Sequence, residues 1–268
     1  MKSKVIYKEQ GHQWVILGRD VERTNTVIDT NEYIIINNGN AMLLDPGGNE
    51  IFPQVLAELT RYLNIEEITT IVGSHQDPDI MSSLAMWIDL CPNVDVYCSW
   101  LWTGFISHFG MGTKLDLLPI PDQGMEIPIG KSGASVFAIP AHYCHSSGNF
   151  SFFDPIAEIL FSGDVGTALL PSMEAPLFVE DFNTHIQYME GFHQRWMPSS
   201  SALRGWVRRV KELNPSMICP QHGSIFRGDD VNRLLNWLET LDVGKIKQDA
   251  NNAELTQSIA MRRKKKEE

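Results

Sequence analysis

The sequence predicts a mixed α and β chain built as two sheets packed face to face, with helices outside. Three observations carry this. Strand-like runs fall into two groups, each group is associated with helices, and the order lacks the steady alternation of a doubly wound sheet.

The first group opens with Trp14 to Leu17, Tyr33 to Ile36 and Ala41 to Leu44. Asn37-Asn38-Gly39-Asn40 separates the last two and predicts a hairpin, because Asn and Gly accept tight-turn backbone angles. Ile51, Val55, Leu56, Leu59 and Leu63 recur at helical spacing, and Ile68 to Val72 is a β-branched strand entering Gly73-Ser74-His75. Met81 to Leu90 reads as a helix stopped near Pro92, and Val94 to Cys98 as the next strand. The second group holds Ser135 to Ile139, Asn149 to Phe153 and Glu158 to Phe161, each bounded by Pro, Gly or Asp. Helices follow over Thr184 to Met197, Ala202 to Leu213 and Val231 to Leu241, interrupted by a strand at Met217 to Cys219.

No repeat or linker divides the chain, so residues 1–249 are expected to form one domain; residues 250–268 read as a polar tail with a basic run from Arg262 to Lys266. An apolar content of 43% over 268 residues excludes a disordered protein. A net charge of −11 speaks against nucleic acid as a partner. No run approaches the roughly 18 to 20 apolar residues that span a bilayer, and the amino terminus lacks a secretory pattern, so no membrane association and a cytoplasmic location are expected. Cys91, Cys98, Cys144 and Cys219 show no paired spacing and are expected as reduced thiols.

Four strand ends deliver metal-type ligands: His75-Gln76-Asp77-Pro78-Asp79, His142 with His145, Asp164, and His222. Loops at a sheet edge can aim such side chains at one point, and imidazole with carboxylate is a standard cage for divalent transition metals. The order His-x-Asp-x-Asp, distant His, Asp, His, spanning about Trp14 to Leu241, resembles the metallo-β-lactamase superfamily. Within it, Ser74 to Asp79, His142 to Phe150 and Ile159 to Asp164 resemble flavodiiron cores and, more closely, stand-alone oxygen-binding diiron proteins.

The resemblance implies a four-layer αββα sandwich with metals in a groove at one edge of the sheets. It assigns His75, Asp77 and His145 to one metal, Asp79 and His222 to the second, and Asp164 as the bridge. His145, rather than His142, has the family's separation from Asp164; His142 is left as a neighbour of the site or a structural histidine. Zinc hydrolases of this fold usually carry His at the position of Asp77, so the carboxylate favours iron, with manganese or zinc as alternatives. Ile80 stands where the superfamily often has a further His, which leaves the second metal open.

These features imply two iron ions and a protein that binds dioxygen, as a sensor or a carrier of oxygen in the peroxo state. No flavodoxin-like domain follows His222, so no FMN is expected in this chain. The alternatives are a reductase of oxygen or nitric oxide served by an external electron donor, and a dinuclear zinc hydrolase. A sensor implies a signalling protein as partner, and related diiron proteins often form homodimers.

Aromatic residues between the motifs, among them Trp87, Trp100, Trp102, Phe105, Phe109, Tyr143, Phe150, Trp196 and Trp206, are expected mostly in the core, with a minority shielding the metals. Gly47 and Gly48 match a turn after an early strand. Asp45 reads as a turn residue or a partner to a metal histidine. Cys144 has no base to make it a nucleophile.

Overall fold

The computed structural model describes residues 3–18, 28–110, 117–171 and 175–245. The expected domain boundary at 249 and the basic tail lie outside them. β-branched and aromatic runs at the start pair in chain order, as β1 (Lys4–Glu9), β2 (His12–Ile16), β3 (Tyr33–Asn37) and β4 (Asn40–Leu44). Asn37 faces Asn40 across the hairpin, and Asn38 and Gly39 take φ of 47° and 73°, the tight turn that matches strand twist. Beyond it α1 (Phe52–Leu59) leads to β5 (Ile68–Val72), then α2 (Pro78–Met81) and α3 (Leu84–Leu90) lead to β6 (Asp95–Ser99), and α4 (Thr103–Ile106) precedes β7 (Leu118–Ile120). The strands β5 to β7 add in parallel and complete a seven-stranded sheet.

The second sheet is six-stranded, with β8 (Met125–Pro128), β9 (Ser135–Pro140), β10 (Phe150–Asp154), β11 (Ile159–Gly163), β12 (Met217–Pro220) and β13 (Phe226–Arg227) in order. The helices α5 (Phe182–Trp196), α6 (Ser200–Leu213) and α7 (Asp229–Thr240) belong to it. Alternation along the strands divides the apolar residues among three cores. Trp14, Tyr33, Met42, Phe150 and Phe161 fill the space between the sheets. Val15, Ile34, Leu43 and Trp87 pack under α1 and α3, while Leu160, Trp206 and Leu234 pack under α5 to α7. Three apolar seams make four layers, the expected αββα sandwich.

Three expectations need correction. The helix expected over Met81 to Leu90 is two pieces, because the chain turns at Ser82 and Ser83 to bond the turn after β4. There the Ser83 hydroxyl and amide donate to the carbonyls of Pro46 (2.7 Å) and Gly47 (3.1 Å). The helix begun near Ile51 stops at Leu59, and Leu63 reaches the core from the loop beyond. The aromatic residues are less uniformly internal than expected. Trp87, Phe150 and Trp206 are buried, whereas Trp100, Phe105, Tyr143 and Trp196 are exposed. All four cysteines are free and buried. Among the described residues no helix is long and apolar enough to cross a membrane.

A polar clamp joins the sheets where β10 ends. Asp154 Oδ2 accepts from His12 Nε2 and Trp14 Nε1, both at 2.6 Å, and Oδ1 accepts from the amide of Ile156 at 2.9 Å. The other nitrogen of His12 lies 2.9 Å from Asn37 Nδ2.

A second buried histidine makes stability depend on acidity. His193 on α5 accepts the Gly166 amide at Nε2 (3.0 Å) and donates Nδ1–H to the Met189 carbonyl (2.8 Å), so the interior holds it neutral. Burial pushes its pKa down to about 4. The unfolded chain, with a histidine near its ordinary value, takes up a proton first, so this stabilisation is present above pH ~6.5 and is lost as pH falls towards 4. Between pH 7 and pH 5 this one histidine should cost about 2 kcal/mol, read as the change in the stability difference between wild type and His193→Gln in urea unfolding of the metal-free chains. A difference that stays constant over that range would show that His193 is not responsible.

Candidate metal centre

The site is assembled where strands of both sheets end together. The Ser74 carbonyl, just past β5, accepts the Phe150 amide at the start of β10 (3.0 Å), and the Gly163 carbonyl ending β11 accepts the Gln221 amide beyond β12 (2.9 Å). These bonds bring His75, Asp164 and His222 onto one edge. Asp77 and Asp79 flank Pro78 at the start of α2. Asp77 takes the N-cap position, but its carboxylate makes no capping bond and faces His145 instead. His145 comes from the loop between β9 and β10. Its backbone is held at φ 96° and that of Tyr143 at 61°, a conformation costly for residues with a Cβ.

Asp164 divides the cluster. Its Oδ2 lies 3.7 Å from His75 Nε2 and 3.6 Å from His145 Nε2, while its Oδ1 lies 3.4 Å from His222 Nε2. Asp77 Oδ2 joins the first group, 2.8 Å from His145 and 3.6 Å from His75. Asp79 Oδ2 joins the second, 3.4 Å from His222. Donor atoms of His75, His145 and Asp164 lie within 4.8 Å of one another. The buried Asp164 Oδ1 has no hydrogen-bond partner among the described residues, a cost that a cation would remove. The residues therefore fit two ions, with four donors on one side and three on the other.

Electrostatics agree. Burial alone would push the His75 imidazole down, but Asp164 and Asp77 outweigh it and raise it to about 9. His222 is likewise raised well above its ordinary value by Asp164 and Asp79, against its burial. Burial would raise both acids, yet His75 and His222 hold Asp164 at about 2, and hydrogen bonds from His145 and His75 hold Asp77 well below the usual carboxylate range. Protons on the imidazoles balance the carboxylates, and an ion that takes their place must displace them.

The remaining nitrogens orient two of the rings. His222 Nδ1–H donates to the Asp29 carbonyl at 2.6 Å. His75 Nδ1–H donates to Ser74 Oγ at 2.9 Å, whose hydroxyl in turn donates to Asp45 Oδ2 at 2.7 Å. Asp45 is thus the partner that holds a site histidine. Its complete burial pushes its carboxyl up to about 7.

A cavity of about 500 Å³ opens over the acids. Asp77, Asp79, His145, Asp164 and His222 form its floor, and Phe192, Trp196, Glu50, Ser82 and Ile28 are in its wall. Trp196 stacks on Phe192 at 6.0 Å and meets the His145 ring edge-on at 5.4 Å.

All six expected site residues come together. His142 does not join them: its Nε2–H donates to the Asp122 carbonyl at 2.7 Å, a structural role. Ile80 is buried in the core under the first sheet. Gly47 takes the expected left-handed turn at φ 85°; Gly48 does not. Burial pushes the Cys144 thiol up to about 12, which keeps it inert. Phe192, Glu50, Ser82 and Ile28 were not expected. Phe192 had only the apolar period of α5 as a signal, and nothing in sequence aims that face at the acids.

Residues 28–223 match the model of the ODP family beta lactamase. A structure of the apo state of chemotaxis sensor ODP from T. denticola is 39% identical, with a TM-score of 0.81, covering 91% of this chain and 96% of that one. A structure described as the peroxy diiron species of chemotaxis sensor ODP is 38% identical, with a TM-score of 0.80, covering 91% and 97%. The rubredoxin oxygen:oxidoreductase of the anaerobe Desulfovibrio gigas shares the fold at 16% identity and a TM-score of 0.76, with 88% of this chain and 61% of that one aligned. No curated protein matches the chain.

Proposed function

Because the chain belongs to the ODP family beta lactamase group, we propose that it is a non-haem diiron protein that binds dioxygen and acts as an oxygen sensor. The observation that carries this is Asp164, whose two carboxylate oxygens are shared between two sets of donors. His75, Asp77 and His145 would hold one iron, Asp79 and His222 the other, and the Asp164 carboxylate would be shared between them. Similarity to a chemotaxis sensor with a diiron centre supports iron as the metal and a signalling protein as partner. It also supports a cytoplasmic location. Two ferrous ions supply the electrons that dioxygen accepts and that zinc lacks.

The chain's own residues do the rest. Asp77 and the bridging carboxylate supply hard, anionic oxygen that suits iron. The three-donor side, Asp79, His222 and Asp164, faces the cavity with room for a small ligand. Phe192 and Trp196 make one wall of that cavity apolar, which limits the approach of water beside His145. The Ser74 and Asp29 contacts fix which nitrogen of His75 and His222 is presented to metal.

Anaerobic addition of ferrous iron should load about two ions per chain, and one pulse of oxygen should then give a long-lived visible absorption band. Rapid bleaching with repeated turnover would instead indicate a reductase. Tightly held zinc with ester or lactam turnover would indicate a hydrolase.

A further inference from the structure

The three site histidines are not oriented in the same way. His75 and His222 are each fixed by a hydrogen bond from Nδ1, but His145 Nδ1 is buried with no hydrogen-bond partner among the described residues. Metal-binding histidines nearly always have such a partner, because it sets the ring's angle and tautomer. His145 also sits on the strained turn of the β9–β10 loop, so something else must hold it.

The contact that reaches this turn from the opposite ligand segment is Gln76. Its Nε2–H donates to Asp77 Oδ1 at 3.0 Å, and its Oε1 accepts from the Ser146 hydroxyl at 2.7 Å. An ionised carboxylate only accepts, so the amide orientation is fixed and the Ser146 hydroxyl must be the donor. Asp77 Oδ2 accepts from His145 Nε2 at 2.8 Å. The result is a closed ring through Asp77, Gln76, Ser146 and His145. We propose that Gln76 is a positioning residue: it turns one Asp77 oxygen to metal by occupying the other, and anchors the His145 turn through Ser146. In the metal-bound state the direct Asp77–His145 hydrogen bond gives way to the ion, and the Gln76–Ser146 link is what keeps the two ligands in register.

The inference rests on the metal reading above, and cobalt(II) tests the two separately because its visible spectrum reports ligand geometry without oxygen or turnover. Wild-type, Gln76→Met, Ser146→Ala and Ser146→Thr chains are titrated with cobalt(II), and their metal-free thermal midpoints are compared. Gln76→Met and Ser146→Ala should weaken the four-donor site about 10- to 100-fold and shift its absorption band. Ser146→Thr, which keeps the hydroxyl, should restore both, and the metal-free midpoints should stay close to wild type. Two cobalt ions bound by every variant with unchanged affinity and spectrum would overturn the role of Gln76 alone. A loss matched by an equal fall in metal-free stability would overturn it too, by making the contact merely structural. A wild-type chain that takes up no cobalt would overturn the metal reading and this inference with it.

Discussion

Asp164→Ala is expected to lose both ions, taking the metal content from about two per chain to near zero. The carboxylate is buried and turns one oxygen to His75 and His145, which Asp77 also approaches, and the other to His222, which Asp79 also approaches. Its removal takes an anionic donor from each side and leaves imidazoles facing a cavity with less charge to balance an ion. His222→Ala is the informative contrast. It removes a donor only from the three-donor side, so about one ion per chain should remain. Metal analysis after anaerobic loading, with a melting curve of each metal-free variant as the folding control, checks both. Full occupancy in a folded Asp164→Ala chain would refute the bridge.

Asp154→Ala should be the most destabilising single change outside the centre, at about 3–5 kcal/mol. The carboxylate is wholly buried, and both oxygens are engaged. Burial would raise its pKa, but hydrogen bonds from His12 and Trp14 hold it below the usual range, so it is ionised in the folded chain. Truncation leaves the Trp14 N–H and His12 buried without their acceptor, and frees the turn between β10 and β11. Asp154 ends the five-residue strand β10, about 13 Å from Phe150 at the ligand edge. Metal content per folded chain should therefore stay at wild-type level while the denaturant midpoint falls. An unchanged midpoint, or a fall in metal content at full folding, would contradict this division.

Sequence made the ligands legible because each lies in a polar cluster that follows a strongly β-prone run, and such clusters must gather where strands stop. Choosing His145 over His142 needed the resemblance to a family; strand pattern alone treated them alike. The cavity wall was illegible because Phe192 looks like any core position of α5, and only docking of that helix turns it to His145. The break between α2 and α3 comes from Ser83 bonding to the turn at Pro46 and Gly47, contacts that local propensity cannot foresee. β1 escaped notice as a largely exposed edge strand whose three apolar residues do not alternate, and β7, β8 and β13 because runs of two to four residues carry too little period. Exposed Trp100, Phe105 and Tyr143 break the rule that large aromatics go inside, a rule that holds in only one direction.

The donors are scattered along the chain, from His75 to His222, and belong to both sheets. Pairing partners so distant closes long loops, which is slow and comes late in folding. On the proposed ligand set, a nascent chain could not hold its full pair of ions until His222 has left the ribosome and β12 has docked beside β11. Full uptake would then report that the two sheets have closed on each other, and a fragment ending before His222 should hold at most one ion.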